Sequence, residues 1–205
     1  MQRQYCRSQR RSVATLSHLF WQTLHATLKA EIMMVSAPGS WTGAAPLKVF
    51  LCGDVMPGRG IDQILPHPSA PRLYEPYVVH AGDYVALAEQ NNGPLPRPVA
   101  YDYIWGEALA ILERVAPDLR IINLETAITT SEDFWPAKGI NYRMHPGNIR
   151  SLAAAGIDCC VLANNHVLDW GYAGLNDTLE VLHAADMQTT GAGRTLTEAE
   201  TPATF

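Results

Sequence analysis

Three short apolar runs constrain this chain more than anything else in it: Leu47–Cys52, Leu119–Leu124 and Ile157–Ala163. Each has the length of a buried strand, and each gives way to polar residues. Helical patterns lie between and after them. Tyr103–Val115 places Trp105, Leu109, Leu112 and Val115 on one helix face, with Asp102 as a cap and Pro117 as a stop. Asn148–Ala155 reads as a short helix closed by Gly156. Leu175–Ala185 carries Leu175, Leu179 and Leu182 along one side. Apolar strands alternating with amphipathic helices specify an α/β fold with parallel pairing. The three runs are expected in one sheet, with helices packed outside. Ligands of such sheets gather at the carboxyl ends of the strands. Asp54 follows the first run, Asn123 and Glu125 end the second, and Asn164, Asn165 and His166 follow the third.

The rest of the chain divides around these runs. Residues 36–46 are rich in Ser, Gly, Pro and Ala and read as a linker. The domain organisation is therefore an extension and linker over 1–46, poorly ordered, and a folded part over 47–205. In the extension, Arg3, Arg7, Arg10 and Arg11 precede the mild segment Val13–Ala30, a signal peptide in outline. His18, Gln22, His25 and Lys29 interrupt that segment, which is poor for a secretory core. Residues 57–100 hold most of the prolines and little periodicity, so a long loop or lid is expected there. Residues 191–205 read as a Gly-rich turn and the opening of another strand, so the sequence looks like a piece of a longer domain.

Composition excludes several classes. The net charge of −5 and the scattered Lys and Arg argue against nucleic acid as a partner. No run of about 18 apolar residues is present, so no membrane-spanning helix is expected. Cys6, Cys52, Cys159 and Cys160 form no C-x-x-C pair, and Cys159 and Cys160 lie inside an apolar run. Buried reduced thiols are the reading, which points to a cytoplasmic setting.

The strand ends carry the chemistry. Asp54, in Gly53-Asp54-Val55-Met56-Pro57-Gly58-Arg59, is either a metal ligand or an Asx-turn residue ending the strand. Glu125 either projects into a site or caps a turn. Two amides and an imidazole at Asn164-Asn165-His166 all need partners, and a capping role would use only one of them. An Asn oxygen can ligate a metal, and His166 can ligate or donate a proton near neutral pH. Arg59 and Arg143 suit bidentate capture of an anionic substrate. His145 reads as loop packing.

GDVMPGRG, IINLETAIT, NYRMHP, VLANNHVLDWG and TTGAGR occur here in that order. Together they resemble the CapA-type capsule (poly-γ-glutamate) synthesis proteins, over residues 47–205. That family is similar to the calcineurin-like metallophosphoesterases. The resemblance implies a four-layer α/β/β/α sandwich, truncated here at the C-terminus, with two metals between two sheets. It implies Asp54, Glu125 and Asn165 as metal ligands, with Asn123 a less certain match, and His166 as the catalytic histidine. Divalent ions (Mn, Zn or Fe) are the implied cofactors. Met56 stands where the phosphoesterases hold a histidine, and later histidine motifs would lie beyond Phe205. The chain by itself is accordingly expected to bind metal weakly and to turn over little. Two functions stay open: a metal-dependent hydrolase of phosphoesters or γ-glutamyl amides, and a non-catalytic polymer-handling or capsule assembly factor.

Overall fold

The computed structural model describes residues 32–34 and 46–205. Seven strands are assigned there: β1 (Ile32–Met34), β2 (Lys48–Val55), β3 (Leu119–Leu124), β4 (Ala127–Ile128), β5 (Arg143–Met144), β6 (Cys159–Val161) and β7 (Gln188–Thr190). Six α-helices accompany them: α1 (Arg59–Ile64), α2 (Gly82–Asn92), α3 (Ala108–Val115), α4 (Arg150–Ala153), α5 (Gly171–Ala184) and α6 (Leu196–Glu200). The main sheet runs in the order β1-β2-β3-β6-β7, and β4 and β5 form a separate parallel pair. β2, β3, β6 and β7 are mutually parallel, so the three apolar runs lie side by side in one sheet, as expected.

The edge strand β1 comes from the segment read as an extension and pairs antiparallel with β2, Ile32 opposite Phe50. The signal-like stretch lies outside the described residues. Of the four layers implied by the resemblance, the described residues contain this large sheet, the separate β4–β5 pair and the helices.

Strand periodicity decides what the sheet buries. Phe50, Ile122, Leu124 and Cys160 point into one cluster with Leu112, Leu152, Leu175, Leu179 and Leu182 from the helices. The alternate positions are less covered: Leu51 is 38% exposed, and Val49, Ile121 and Val161 are half-buried. Strand β2 does not stop at Cys52. The register shifts between Cys52 and Val55, and Val55 pairs again opposite Leu124. Asp54, inside that irregularity, takes a left-handed backbone with φ 51. A bulge of this kind re-aims a side chain at a sheet rim.

Two regions fold differently from expectation. Residues 57–100 are not a plain loop: α1 and α2 pack Ile64, Leu65, Val85 and Val99 into a second small core. Within residues 191–205 the chain forms α6, capped by Thr195, whose hydroxyl accepts from Glu198 N at 3.2 Å, and the Ala203-Thr204-Phe205 end read as a strand opening has no assigned element. Glu198 reciprocates by accepting from Arg194 N at 2.7 Å, a local arrangement that favours a helix start. The helix expected over Tyr103–Val115 is a 3-10 turn (Tyr103–Trp105) followed by α3. Among the described residues no helix is long and apolar enough to cross a membrane.

Cys159 and Cys160 are buried free thiols, and burial pushes Cys160 up to about 12. A thiol must ionise to react with an alkylating reagent. Iodoacetamide at pH 8 should therefore leave both unmodified in the folded chain and label both in urea, read by peptide mass spectrometry. Rapid native labelling of Cys160 would contradict this packing.

Candidate functional site

Side chains from the ends of β2, β3 and β6 are stitched together by amides. Asn123 Nδ2 donates to Asp54 Oδ1 at 3.0 Å, and Asn164 Nδ2 donates to Asn123 Oδ1 at 3.0 Å. Asn164 Nδ2 also reaches Leu124 O at 2.9 Å, while its Oδ1 accepts from His166 N at 3.0 Å. Three adjacent strand ends are thus held in one row, and the turn after β6 is fixed so that His166 faces inward.

The imidazole of His166 is buried and constrained on three sides. Its Nδ1 lies 2.7 Å from Asp169 Oδ2. A carboxylate only accepts, so this shorter contact calls for the proton on Nδ1 and leaves Nε2 free, with Lys138 Nζ farther from Nδ1 at 3.3 Å. Nε2 lies 3.9 Å from Glu125 Oε1. The ring stacks on Tyr142, centroids 4.1 Å apart and planes 23° apart.

Asp169 is fully buried and acts as the hub of this side of the site. Its carboxylate accepts from Lys138 Nζ and from Tyr142 N, the latter at 2.5 Å. Its backbone oxygen accepts from Trp135 N at 2.9 Å and Asn141 Nδ2 at 2.8 Å. One residue thereby orients His166 and pins the whole 135–142 loop against the site.

The expected site residues separate into groups. Asp54, Glu125 and His166 come to the same rim. Glu125 sits above the usual carboxylate range, because it is partly buried and because the Asp54 charge lies nearby; the His166 and Lys138 charges oppose this. Asn165 points elsewhere. It is exposed and lines a recess of about 300 Å³ with Trp135, Pro136, Ala137, Lys138 and Leu168. Its neighbour Asn164 is the amide that ties the rim. Arg59 stands beside the site, its guanidinium over the Tyr142 ring.

Arg143 corrects the expectation of a second substrate arginine. It is 6% exposed and donates to Ser131 O, Glu132 Oε1 and Ala70 O, with its guanidinium 3.9 Å above the Trp170 ring. That fork is consumed inside the fold. Gly58 supports the same packing, since a Cβ there would meet Arg143 O at 2.9 Å. His145 is a packing residue: its Nδ1 accepts from Gly147 N at 3.0 Å.

The sequence reading gave no role to Lys138, Asp169 or Tyr142, and it placed Asn164 in the site only as one of two neighbouring amides that need partners. Asp169 follows His166 at i+3, a spacing that could have suggested an imidazole partner. Lys138 comes from a loop with no periodic signal.

The residues between 48 and 205 match the model of the bacterial capsule synthesis protein family PGA_cap. The chain belongs to that family. It is also 53% identical over 148 residues to a curated protein found in two strains of Mycobacterium tuberculosis and described as a "probable polyglutamine synthesis accessory protein". The match covers 72% of this chain and 39% of the relative, so the chain spans well under half the relative's length.

The fold family implies a metal, and the donors can be tested against one. Two carboxylates, amide oxygens and an imidazole suit a divalent cation in kind. The imidazole is already oriented by a carboxylate, as ligating or acid–base histidines are. The number falls short: among the described residues no three His, Cys, Asp or Glu side chains are grouped to hold an ion. Met56 adds no donor; it is buried, and its Sδ accepts from Gly58 N at 3.3 Å.

Proposed function

We propose that this chain carries part of the site of a hydrolase acting in capsule polymer synthesis, with a phosphoester or a γ-glutamyl amide as the bond cleaved. The observation that carries the proposal is the His166 imidazole, fixed through Nδ1 by Asp169 and facing Glu125 across the row of strand ends. A base held in one tautomer with a free Nε2 is the arrangement general acid catalysis needs. In the protonated state, Nε2–H is the proton that the leaving oxygen or nitrogen takes as its bond breaks. Tyr142 and Asp169 hold the ring plane, so the proton is delivered to one place. Asp54 and Glu125 are the side chains that would meet a divalent ion (Mn, Zn or Fe), which when bound would supply charge stabilisation and an activated water. Asn165, implied as a third ligand by the resemblance, faces the neighbouring recess instead. Reduced, buried Cys159 and Cys160 accord with a cytoplasmic setting for this chemistry.

A second reading has its own support. Met56 gives no ligand and no three-donor cluster is formed, which favours a polymer-handling or capsule assembly factor that keeps the fold without turnover. Calorimetry with Mn²⁺ or Zn²⁺ separates the two. Under the hydrolase reading the chain binds the ion, and Asp54→Asn weakens binding about tenfold, in the range of a lost ligand or supporting contact. Absence of binding by the unmodified chain would favour the handling factor.

A further inference from the structure

Arg59, expected from the sequence to capture an anion, takes no part in the proton transfer proposed for His166, yet its side chain is clamped on several sides. Its backbone is left-handed at φ 50, a conformation that a long side chain keeps only when its surroundings enforce it. Its Nε donates to Glu75 Oε1 at 2.6 Å, and Glu75 Oε2 accepts from the Tyr84 hydroxyl at 2.6 Å. The guanidinium carbon lies 4.9 Å from the Tyr84 ring centroid and 4.6 Å from that of Tyr142. Tyr142 carries His166 against its ring as well, and one face cannot seat both groups. His166, Tyr142, Arg59 and Tyr84 therefore form a single stack.

The clamp fixes Nε and the plane of the guanidinium and leaves its far edge open. Among the described residues neither Nη nitrogen has a hydrogen-bond partner, although the side chain is only 12% exposed. A planar fork so presented matches two oxygens of one carboxylate or phosphate. Glu75 offsets the charge, so recognition depends on geometry at short range more than on a long-range field.

We propose that Arg59 is an anion seat: its two terminal nitrogens take two oxygens of a carboxylate or phosphate carried by the substrate, one tyrosine ring away from His166. Only the words "carried by the substrate" rest on the hydrolase reading. A purely structural Arg59 would exist to neutralise Glu75, and the two roles differ in what Glu75→Gln does. Glutamine keeps an acceptor for Arg59 and a partner for Tyr84 while removing the offsetting charge. An anion seat then binds more tightly, whereas a structural pair shows no change in anion affinity.

The test is titration of the isotopically labelled chain with inorganic phosphate and, separately, glutarate, at constant ionic strength. The Arg59 Nε–Hε resonance is followed by NMR where arginine is present, and the Tyr142 ring resonances in every variant. The expected result is saturable shifts in the range of about 1–50 mM, weakened about tenfold or more in Arg59→Gln. Arg59→Lys, which keeps the charge and loses the fork, should fall between. Glu75→Gln should tighten binding several-fold. Whichever anion saturates first identifies the source, phosphoester or carboxylate polymer. The proposal is overturned if neither anion moves these resonances, if Arg59→Gln responds like the unmodified chain, or if Glu75→Gln leaves affinity unchanged. Should Arg59→Gln fail to fold, the Arg59→Lys and Glu75→Gln pair decides alone. Saturation at Arg59 together with no effect of His166→Ala on hydrolysis would leave the seat standing and remove the reaction.

Discussion

Replacing Asp169 with alanine should lower the unfolding free energy by about 3 kcal/mol, measured by urea denaturation followed through tryptophan fluorescence. The Asp169 carboxylate is wholly buried and receives Lys138 Nζ, Tyr142 N and His166 Nδ1. Breaking a buried ion pair costs about 3–5 kcal/mol, most of it the desolvation of the group left behind. Here the low end applies, because the Lys138 side chain is 22% exposed and can recover some water. The Tyr142 N–H has no such escape, and Tyr142 O holds the Trp170 indole at 2.9 Å. Loosening should therefore spread along the 135–142 loop and appear in the tryptophan signal. Asp169→Asn should cost less, since its amide oxygen still accepts one of the three donors. A loss below about 1 kcal/mol for the alanine variant would mean that the hub contributes little to folding.

The parts of this fold legible in the sequence are those whose side chains are dictated by burial. β2, β3 and β6 are centre strands of a parallel sheet and read as apolar runs. The edge strand β7 (Gln188–Thr190) has no apolar residue and shows no such signal. Helices α1 and α2 were hidden for a related reason. The first has six residues, and the second buries only Val85 and Ala88 along eleven, so neither presents a sustained apolar face. Near the chain end the capping pair Thr195 and Glu198 was present in the sequence and starts α6, which stops at Glu200 before the strand-like Ala-Thr-Phe.

The site was legible to the extent that strand ends define it. Asp54, Glu125 and His166 could be named because each follows an apolar run, and parallel strands bring such residues to one rim. Which asparagine faces inward could not be read, because Asn164 and Asn165 differ only in where the turn after β6 points them. Arg143 illustrates the opposite failure. Nothing in its neighbourhood along the chain announces Trp170 or the Ala70 carbonyl, and a buried arginine with satisfied donors looks in sequence like one free to bind. Lys138 and Asp169 were missed as partners because their pairing joins a loop to the turn that begins α5, a relation with no period.

The His166 side chain offers the largest expected effect on activity. If it donates the leaving-group proton, His166→Ala should cut hydrolysis of p-nitrophenyl phosphate or of a γ-glutamyl anilide by about 10²–10⁴-fold, the range removed with a general acid. Folding should suffer less than in the Asp169 variant. Without the imidazole, Asp169 still receives Lys138 and the Tyr142 N–H, so its charge stays compensated. A stability loss of about 1–2 kcal/mol is expected, from lost packing against Tyr142 and one lost hydrogen bond. Divalent-ion affinity should hold nearly constant, because Asp54 and Glu125 remain in place, while Asp54→Asn loses affinity. That contrast is the informative part of the experiment. Equal loss of metal in both variants would make His166 a ligand and move the acid role elsewhere. Hydrolysis indistinguishable from that of the unmodified chain would remove His166 from the chemistry. No hydrolysis by the unmodified chain or by a full-length relative would leave the polymer-handling reading in its place, with the Asp169–His166 pair serving to anchor the 135–142 loop.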